Sequence, residues 1–354
     1  MELKDFINSK EIAIYIDKLP PQTNIDQILF PNDKQYGMEI ELAKGALKRP
    51  VAIRMSQFDT AAKVRALKAQ VSVEKKEMPF FKEAVGISEK DRRDLMLAKN
   101  ANNQNLINFL VKQVYENYAE LVAGADVQAS RMRAQILQKG EVNIVTDDGD
   151  IVVDYGVPTE HKVAVDAAKS WDKPGADIVG DIIKWQKLFT NAGLEKPTRM
   201  LLTEKTFGYI TQNNAIREEL NARNIGTVIL VDEDFKGYLK RKLGIELGIL
   251  DGVYLDEKGT LNNYYEDDKI SLIPQGALGR TIYGTTPEEF DSKFGSGKLD
   301  TSVLAKGIAI TTMVKEDPVT VDTKISQIVL PSFDKANNCL FATVVPTAKE
   351  SKKK

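Results

Sequence analysis

The sequence predicts an α+β fold, and three stretches carry that prediction. Between residues 103 and 138, Leu106, Leu110, Val114, Tyr118, Leu121, Val122 and Ala125 share one stripe while Asn108, Lys112, Glu116 and Glu120 fall opposite, the 3.6-residue period of a long amphipathic helix. In 141–155, EVNIVTDDGDIVVDY, the Asp148-Gly149 pair stands between two β-branched runs, the pattern of a tight hairpin. From residue 176 onward helical and strand patterns alternate, and the chain closes on β-rich sequence.

Taken in order, Leu3, Phe6, Ile7, Ile12 and Ile16 recur among charges, which fits a short helix or two helical pieces stopped by Pro20-Pro21. Met38 to Lys44 alternates apolar and polar as a strand does. Residues 44–82 then hold ten Lys or Arg against three Asp or Glu, a local charge of +7 in a chain of net charge −2. Residues 50–55 and 69–75 read as the arms of a long hairpin with 56–68 as its tip, where TAAKVRALKA has helical propensity of its own. Excursions of that length within a compact domain are uncommon and tend to be functional.

A helix over 103–138 would be about 54 Å long. Gly124 weakens it locally and predicts a bend or a close backbone contact there. The second half reads as a helix at 176–192 on Ile178, Ile182, Ile183 and Leu188, a strand at 199–202, a helix at 204–222, a strand at 227–231 and a helix at 234–242. Residues 248–284 are rich in turns and aromatics, 307–345 alternate as sheet strands, and the last eight residues, TAKESKKK, read as a disordered tail.

The 354 residues, 42% hydrophobic and 28% charged, suffice for a sizeable core in two subdomains or one elaborated unit. The slightly negative net charge argues against a general DNA-coating role, which needs a basic surface to offset phosphate. A single cysteine, Cys339, excludes an internal disulfide, and one Cys with one His is too few for an ordinary zinc site. The start lacks a leader pattern and no run of about 18 apolar residues occurs, so a cytosolic folding environment is expected.

No motif supports catalysis. GSGK at 295–298 has Ser292 where a phosphate loop needs its first Gly and Leu299 where it needs a hydroxyl. TDDGD lacks calcium-loop spacing and is expected to be hairpin turn chemistry. His161, beside Glu160, is expected to be a surface or capping residue, Cys339 a small core residue, and YYEDDK at 264–269 a solvated turn. No catalytic residue, cofactor or metal is expected, which shifts weight to a protein that works through shape and contacts.

Four runs, LFPNDKQYGMEIELAKG, PVAIRMSQFDTAAKVR, EKKEMPFFKEAVGISEKDRRDL and QIVLPSFDKANNCLFATVV, together resemble the lambda-type (E-like) major capsid proteins of tailed bacteriophages. The resemblance runs in order across nearly the whole chain and is sharpest in its Leu-Phe-Pro, Phe-Asp-Thr and Met-Pro-Phe-Phe-Lys-Glu blocks. It implies the Hong Kong 97-type capsid fold. Residues 1–43 would be an N-terminal arm and 44–82 an extended β-hairpin loop. A peripheral domain would take 83–175, with a spine helix at 103–138 and the hairpin at 141–155. An axial α/β domain would take 176–306, strands at 307–346 would return to the peripheral domain, and 347–354 would be the tail.

The resemblance further implies a head shell, icosahedral or prolate, of hexamers and pentamers that encloses the genome, built in the bacterial host cytoplasm. A separate scaffolding protein, a portal protein at one vertex and a candidate decoration protein would be partners; DNA would be packaged without sequence-specific binding, and no membrane is involved. Arg49, Arg54, Phe58, Lys63, Arg65 and Lys68 would carry the loop's contacts with a neighbouring subunit, with Glu116, Glu120 and Asp267 as candidate acidic acceptors. Some members of the fold crosslink the loop through a Lys–Asn isopeptide bond; lambda-type proteins generally do not, and Lys63 or Lys68 alone does not establish one. A soluble α/β nucleotide-binding enzyme, which a nucleotide or metal would stabilise, and a head accessory protein that closes one small ring are the alternative readings.

Overall fold

The computed structural model describes residues 8–19, 24–44, 72–87, 89–101, 103–145, 150–221, 229–295, 299–304, 306–315 and 320–346. In chain order the helices are α1 (Ser9–Asp17), α2 (Ile25–Leu29), α3 (Glu89–Asn100), α4 (Gln104–Lys139), α5 (Ile178–Asn191), α6 (Glu204–Gln212), α7 (Asn214–Asn221), α8 (Asp232–Leu243) and α9 (Pro287–Phe294). The strands are β1 (Asn32–Lys34), β2 (Glu39–Lys44), β3 (Ser72–Glu77), β4 (Phe80–Ile87), β5 (Glu141–Ile144), β6 (Ile151–Asp154), β7 (Lys162–Ala164), β8 (Arg199–Leu202), β9 (Glu246–Ile249), β10 (Val253–Leu255), β11 (Leu261–Asn263), β12 (Lys269–Ile273), β13 (Thr281–Tyr283), β14 (Asp300–Val303), β15 (Ala309–Val314), β16 (Val321–Pro331) and β17 (Leu340–Thr343). The chain divides into two compact units, Met1–Ile40 with Lys75–Arg133 and Gly279–Ser332, and Glu41–Glu74 with Ala134–Leu278 and Phe333–Lys354.

The first unit is organised by β16, whose 11 residues alternate little because nearly all are buried. Its first part lies between β15 and β4, antiparallel to both, with Val321 opposite Val314 and Ile87; its last three residues pair with β13. β13 in turn takes β1 in parallel, so a segment from near the start of the chain completes the sheet. Helix α4 lies along this sheet: Gln327 Nε2 donates to the Ala125 carbonyl at 2.8 Å and Lys306 pairs with Asp126 at 2.8 Å. Ala, Leu, Gln and Glu, with no Pro, sustain α4 for 36 residues. Among the described residues a Cβ placed at Gly124 would meet nothing within 4 Å, so of the bend or close backbone contact expected at this glycine the contact is not there.

The N-terminal helix begins at Ser9, where the Asn8 side chain accepts from the Glu11 amide at 2.8 Å and so satisfies one orphan donor of the first turn. Ile12, Leu29 and Phe30 are buried in the first unit, and each such side chain contributes about 1.5–3 kcal/mol by leaving water. Gly284 lets the 35–38 segment approach: a Cβ there would sit 2.6 Å from the Gly37 carbonyl oxygen and 2.7 Å from Met78 Cε. β2 and β3 pair as a two-stranded ribbon; the arm expected at 50–55, the tip and most of the basic segment lie outside the described residues.

The second unit holds a five-stranded sheet in the order β7-β17-β12-β8-β9, with parallel pairs at both edges and antiparallel pairs between them. Its core gathers Ile178, Ile182, Trp185 and Phe189 from α5 with Met200 and Leu202 from β8 and Phe235 and Leu239 from α8. Trp171 stacks on Trp185 with ring centroids 5.9 Å apart. β5 and β6 pair antiparallel from Glu141↔Asp154 to Ile144↔Ile151; Asp148-Gly149 between them is outside the described residues.

Two expectations in this unit are corrected. The helix at 204–222 is broken at Asn213, which is extended at ψ 121 and uses its side chain twice, donating to the Ala176 carbonyl at 2.8 Å and accepting from the Ile216 amide at 3.2 Å. Residues 229–231 form no strand: Val231 is the cap of α8, with its amide donating to Asp234 Oδ2 at 2.9 Å, and the strand beside β8 is β9.

Candidate assembly surface

Glu116 and Glu120 sit one turn apart on the exposed face of α4, in the first unit. Glu116 lies 3.6 Å from Lys112, an exposed pair of the kind that contributes about 0–1 kcal/mol, so both carboxylates are open to an outside cation. Asp267, in the second unit, differs. Its Oδ1 accepts from the Thr203 hydroxyl at 2.8 Å and its Oδ2 lies 3.7 Å from Lys205, so it already serves its own turn. The turn is tight: Asp268 has a φ of 64° and accepts from the Tyr209 hydroxyl at 2.7 Å. Arg49, Arg54, Phe58, Lys63, Arg65 and Lys68 lie outside the described residues.

The N-terminal third of α4 is covered on one side only, where Ile107 is buried and Tyr115 packs on Tyr15 with ring centroids 5.3 Å apart. Leu106 and Phe109 are exposed, Phe109 at 62%, and Leu110 and Val114 are half-buried, while burial becomes dense from Tyr118 onward. Met96 and Leu97 on α3 are exposed as well. Exposed apolar side chains on the first turns of α4, with the exposed acids Glu116 and Glu120 farther along the helix, can take apolar and basic groups from outside. The helical stripe was readable; which of its turns stays uncovered was not.

A second polar feature had no signal in any local window. Thr286 caps α9, accepting from the Glu289 amide at 3.3 Å, and Pro287 takes the first helical position. This buries two adjacent acids. Glu289 accepts from Lys34 at 2.6 Å and from Lys293 at 2.8 Å, and Lys34 also donates to the Gly284 carbonyl at 2.7 Å, tying β1 to α9. Glu288 pairs with Lys324 of β16 and accepts from the Ser326 hydroxyl at 2.8 Å. Burial pushes both carboxyls up, but the hydrogen bonds from lysines and Ser326 outweigh it and hold both below the usual range.

His161 corrects an expectation. It is not at the surface but 2% exposed, its ring 4.6 Å from that of Phe189 and bonded to the Cys339 backbone, with Nδ1 unpartnered among the described residues. Burial lowers its pKa against the opposing pull of Glu160. Cys339 is wholly buried, and burial pushes its thiol up out of the reactive range. The YYEDDK stretch is likewise no plain solvated turn, since Tyr265 is buried with its hydroxyl 2.6 Å from that of Ser271. Among the described residues no cluster of His, Cys, Asp and Glu is arranged to hold a metal ion, and no helix is long and apolar enough to cross a membrane.

This architecture is the Hong Kong 97-type capsid fold. It is shared with a protein assigned as a prophage capsid protein from Escherichia coli CFT073, at a TM-score of 0.58 and 12% identity over 96% of this chain and 99% of that one. A phage-related protein from Bordetella bronchiseptica RB50 is similar at 0.53 and 10%, over 96% and 99%. No curated protein sequence matches the chain. The family model for phage major capsid protein E matches residues 8–344, and the chain belongs to that family. It is a capsid shell protein, a structural and not a catalytic component of the virion, and it self-associates to form the shell.

Proposed function

We propose that copies of this chain close into hexamers and pentamers of an icosahedral or prolate head shell, with the extended loop of each copy (44–82) packing on a neighbour through residues 45–71, since Ser72–Glu77 pairs with β2 and Phe80–Lys82 with β16 of its own chain. The observation that carries this reading is the partly uncovered N-terminal third of α4, where Leu106 and Phe109 are exposed and the exposed acids Glu116 and Glu120 follow farther along the helix, Glu116 shared only weakly with Lys112. A segment of charge +7 with little hydrophobic face of its own gains order by burial on such a surface. Exposed ion pairs contribute about 0–1 kcal/mol each, so the basic residues set register and steer approach while apolar burial supplies most of the affinity. Arg49, Arg54, Phe58, Lys63, Arg65 and Lys68 are the contacts on the loop side, and Glu116 and Glu120 receive them. Asp267, already engaged at home, is the weaker acceptor.

In this reading residues 1–43 are the arm and 347–354 a tail, with a peripheral and an axial domain between them. Assembly of the procapsid takes place in the host cytoplasm on a separate scaffolding protein, with a portal protein at one vertex. A decoration protein completes the outside, and DNA fills the inside without sequence-specific contacts. Deleting residues 58–68 tests the loop. The variant should keep the circular dichroism and thermal unfolding of the parent subunit but form no shells when expressed with the scaffolding protein; normal shells would refute the assignment.

A further inference from the structure

The outward stripe of α5 is not a plain solvated face. Gly180, Ile183, Lys184, Lys187, Leu188 and Asn191 recur at helical spacing and line a shallow, mostly apolar depression of about 340 Å³, on the side opposite the buried Ile182, Trp185 and Phe189. At the Gly180 end the space a side chain would take is filled by the Asp177 carboxylate, whose Oδ1 accepts from the Gly180 amide at 2.9 Å, and Ile183 is exposed. Lys184 and Lys187 stand on the rim; neither is within ion-pair distance of a carboxylate among the described residues, although burial pushes the Asp181 carboxyl up and Lys184 is close enough to pull it down against that push. The depression is therefore apolar at its base and cationic along the Lys184–Lys187 edge, with the Asp177 carboxylate at its Gly180 end.

The same unit carries a projection of the opposite character. Ahead of α8, Ile229 is 87% exposed and Val231 is exposed too, while Leu230 between them packs toward the core. Asp232 and Glu233 follow at once, both exposed. Acids in a first turn favour the helix dipole, which accounts for their presence there. It does not account for two exposed β-branched side chains immediately before them. Glu233 is partly spent on Lys236 at 2.9 Å, whereas Asp232 has no ion pair among the described residues.

We infer that the α5 depression receives the Ile229–Glu233 projection of a second copy of this chain, Ile229 and Val231 entering the apolar floor and Asp232 and Glu233 meeting Lys184 and Lys187. The second copy is the occupant because the complementary charge and apolar side chains lie on the chain itself, in a protein that self-associates. Two different patches on one unit make a heterologous contact, which closes into a ring when the rotation allows. The inference rests on the proposed hexamers and pentamers and names one of the contacts that close them.

Charge reversal tests it in the whole chain expressed with its scaffolding protein. Lys184→Glu with Lys187→Glu, and separately Asp232→Lys with Glu233→Lys, should each lower the yield of capsomers and shells about tenfold or more by setting like charges face to face. All four reversals together should restore assembly. Thermal unfolding of each variant separates a lost contact from a lost fold, and the α5 variant, changed only at exposed rim positions, keeps the test valid if the α8 variant is unstable. Shells at parental yield from the α5 variant would overturn the contact while leaving the shell reading intact. Loss without rescue in a stable four-fold variant would assign the depression to a different occupant and overturn the second-copy inference. A parental chain that forms no shells at all would overturn the reading on which the inference rests.

Discussion

Arg133 of α4, only 1% exposed, donates through Nε to Asp26 of α2 at 2.8 Å, with Ser130 and Thr281 hydroxyls accepting from its other nitrogens at 2.9 and 3.2 Å. A buried guanidinium with each of its three nitrogens hydrogen-bonded tolerates its setting; one that loses its carboxylate does not. Asp26→Ala should destabilise the first unit by about 3–5 kcal/mol, read from urea unfolding, because it leaves an uncompensated buried charge. Asp26→Ala combined with Arg133→Met should recover most of the loss. Equal losses in the single and double variants would show that the pair itself, not the orphaned charge, matters.

The acids at the start of α9 set the response to low pH. Their folded pKa values lie below the ordinary 4.5, so their contribution is fully present above that value and is lost as pH falls through the folded values. Glu289→Gln should lower the melting temperature at neutral pH and flatten the acid limb of the stability curve below about pH 4.5. An unchanged acid limb would place the acid sensitivity elsewhere.

His161 works in the opposite sense of charge and in a higher window. Burial depresses its pKa below 6.5, so as pH falls the unfolded chain takes up the proton first, and stability is lost from about pH 6.5 downward to the folded value. As the sole histidine, it gives a single imidazole titration by nuclear magnetic resonance. The midpoint should lie below 6.5; a midpoint at or above 6.5 would mean that the ring is hydrated.

Gly124 offers a gain. With open space where a Cβ would go and helical backbone around it, Gly124→Ala should raise subunit stability by about 0.5–1 kcal/mol in urea unfolding. Destabilisation would indicate that another chain or segment packs against this turn.

The elements that the sequence made plain are those whose determinants are local. The 3.6-residue stripe of α4, the four residues of β8 and the two strands flanking Asp148-Gly149 form where the pattern places them. Where partners lie far away in sequence, local pattern misleads. Asn213 breaks a good helical stretch because its side chain reaches Ala176, and the β-branched run before Asp232 reads as a strand although Val231 is spent on capping. A lone His beside Glu160 reads as surface until Phe189 closes over it. Glu288 and Glu289 look like an ordinary helix start; only the arrival of Lys34 and Lys324 from distant strands buries them. At the assembly surface the acids Glu116 and Glu120 were legible as the polar face of α4, but the bareness of Leu106 and Phe109 was not, since exposure is a property of the packed unit.

The central claim is that each copy lends its basic segment to a neighbour within rings of six and five. An electron cryomicroscopy reconstruction of the assembled particles, resolved to the individual subunit, tests it most directly. The account predicts hexamers and pentamers in which residues 45–71 of every copy lie against α4 of an adjacent copy near Phe109, Glu116 and Glu120. Density for that segment folded back on its own subunit, or shells built from rings of another order, would contradict it.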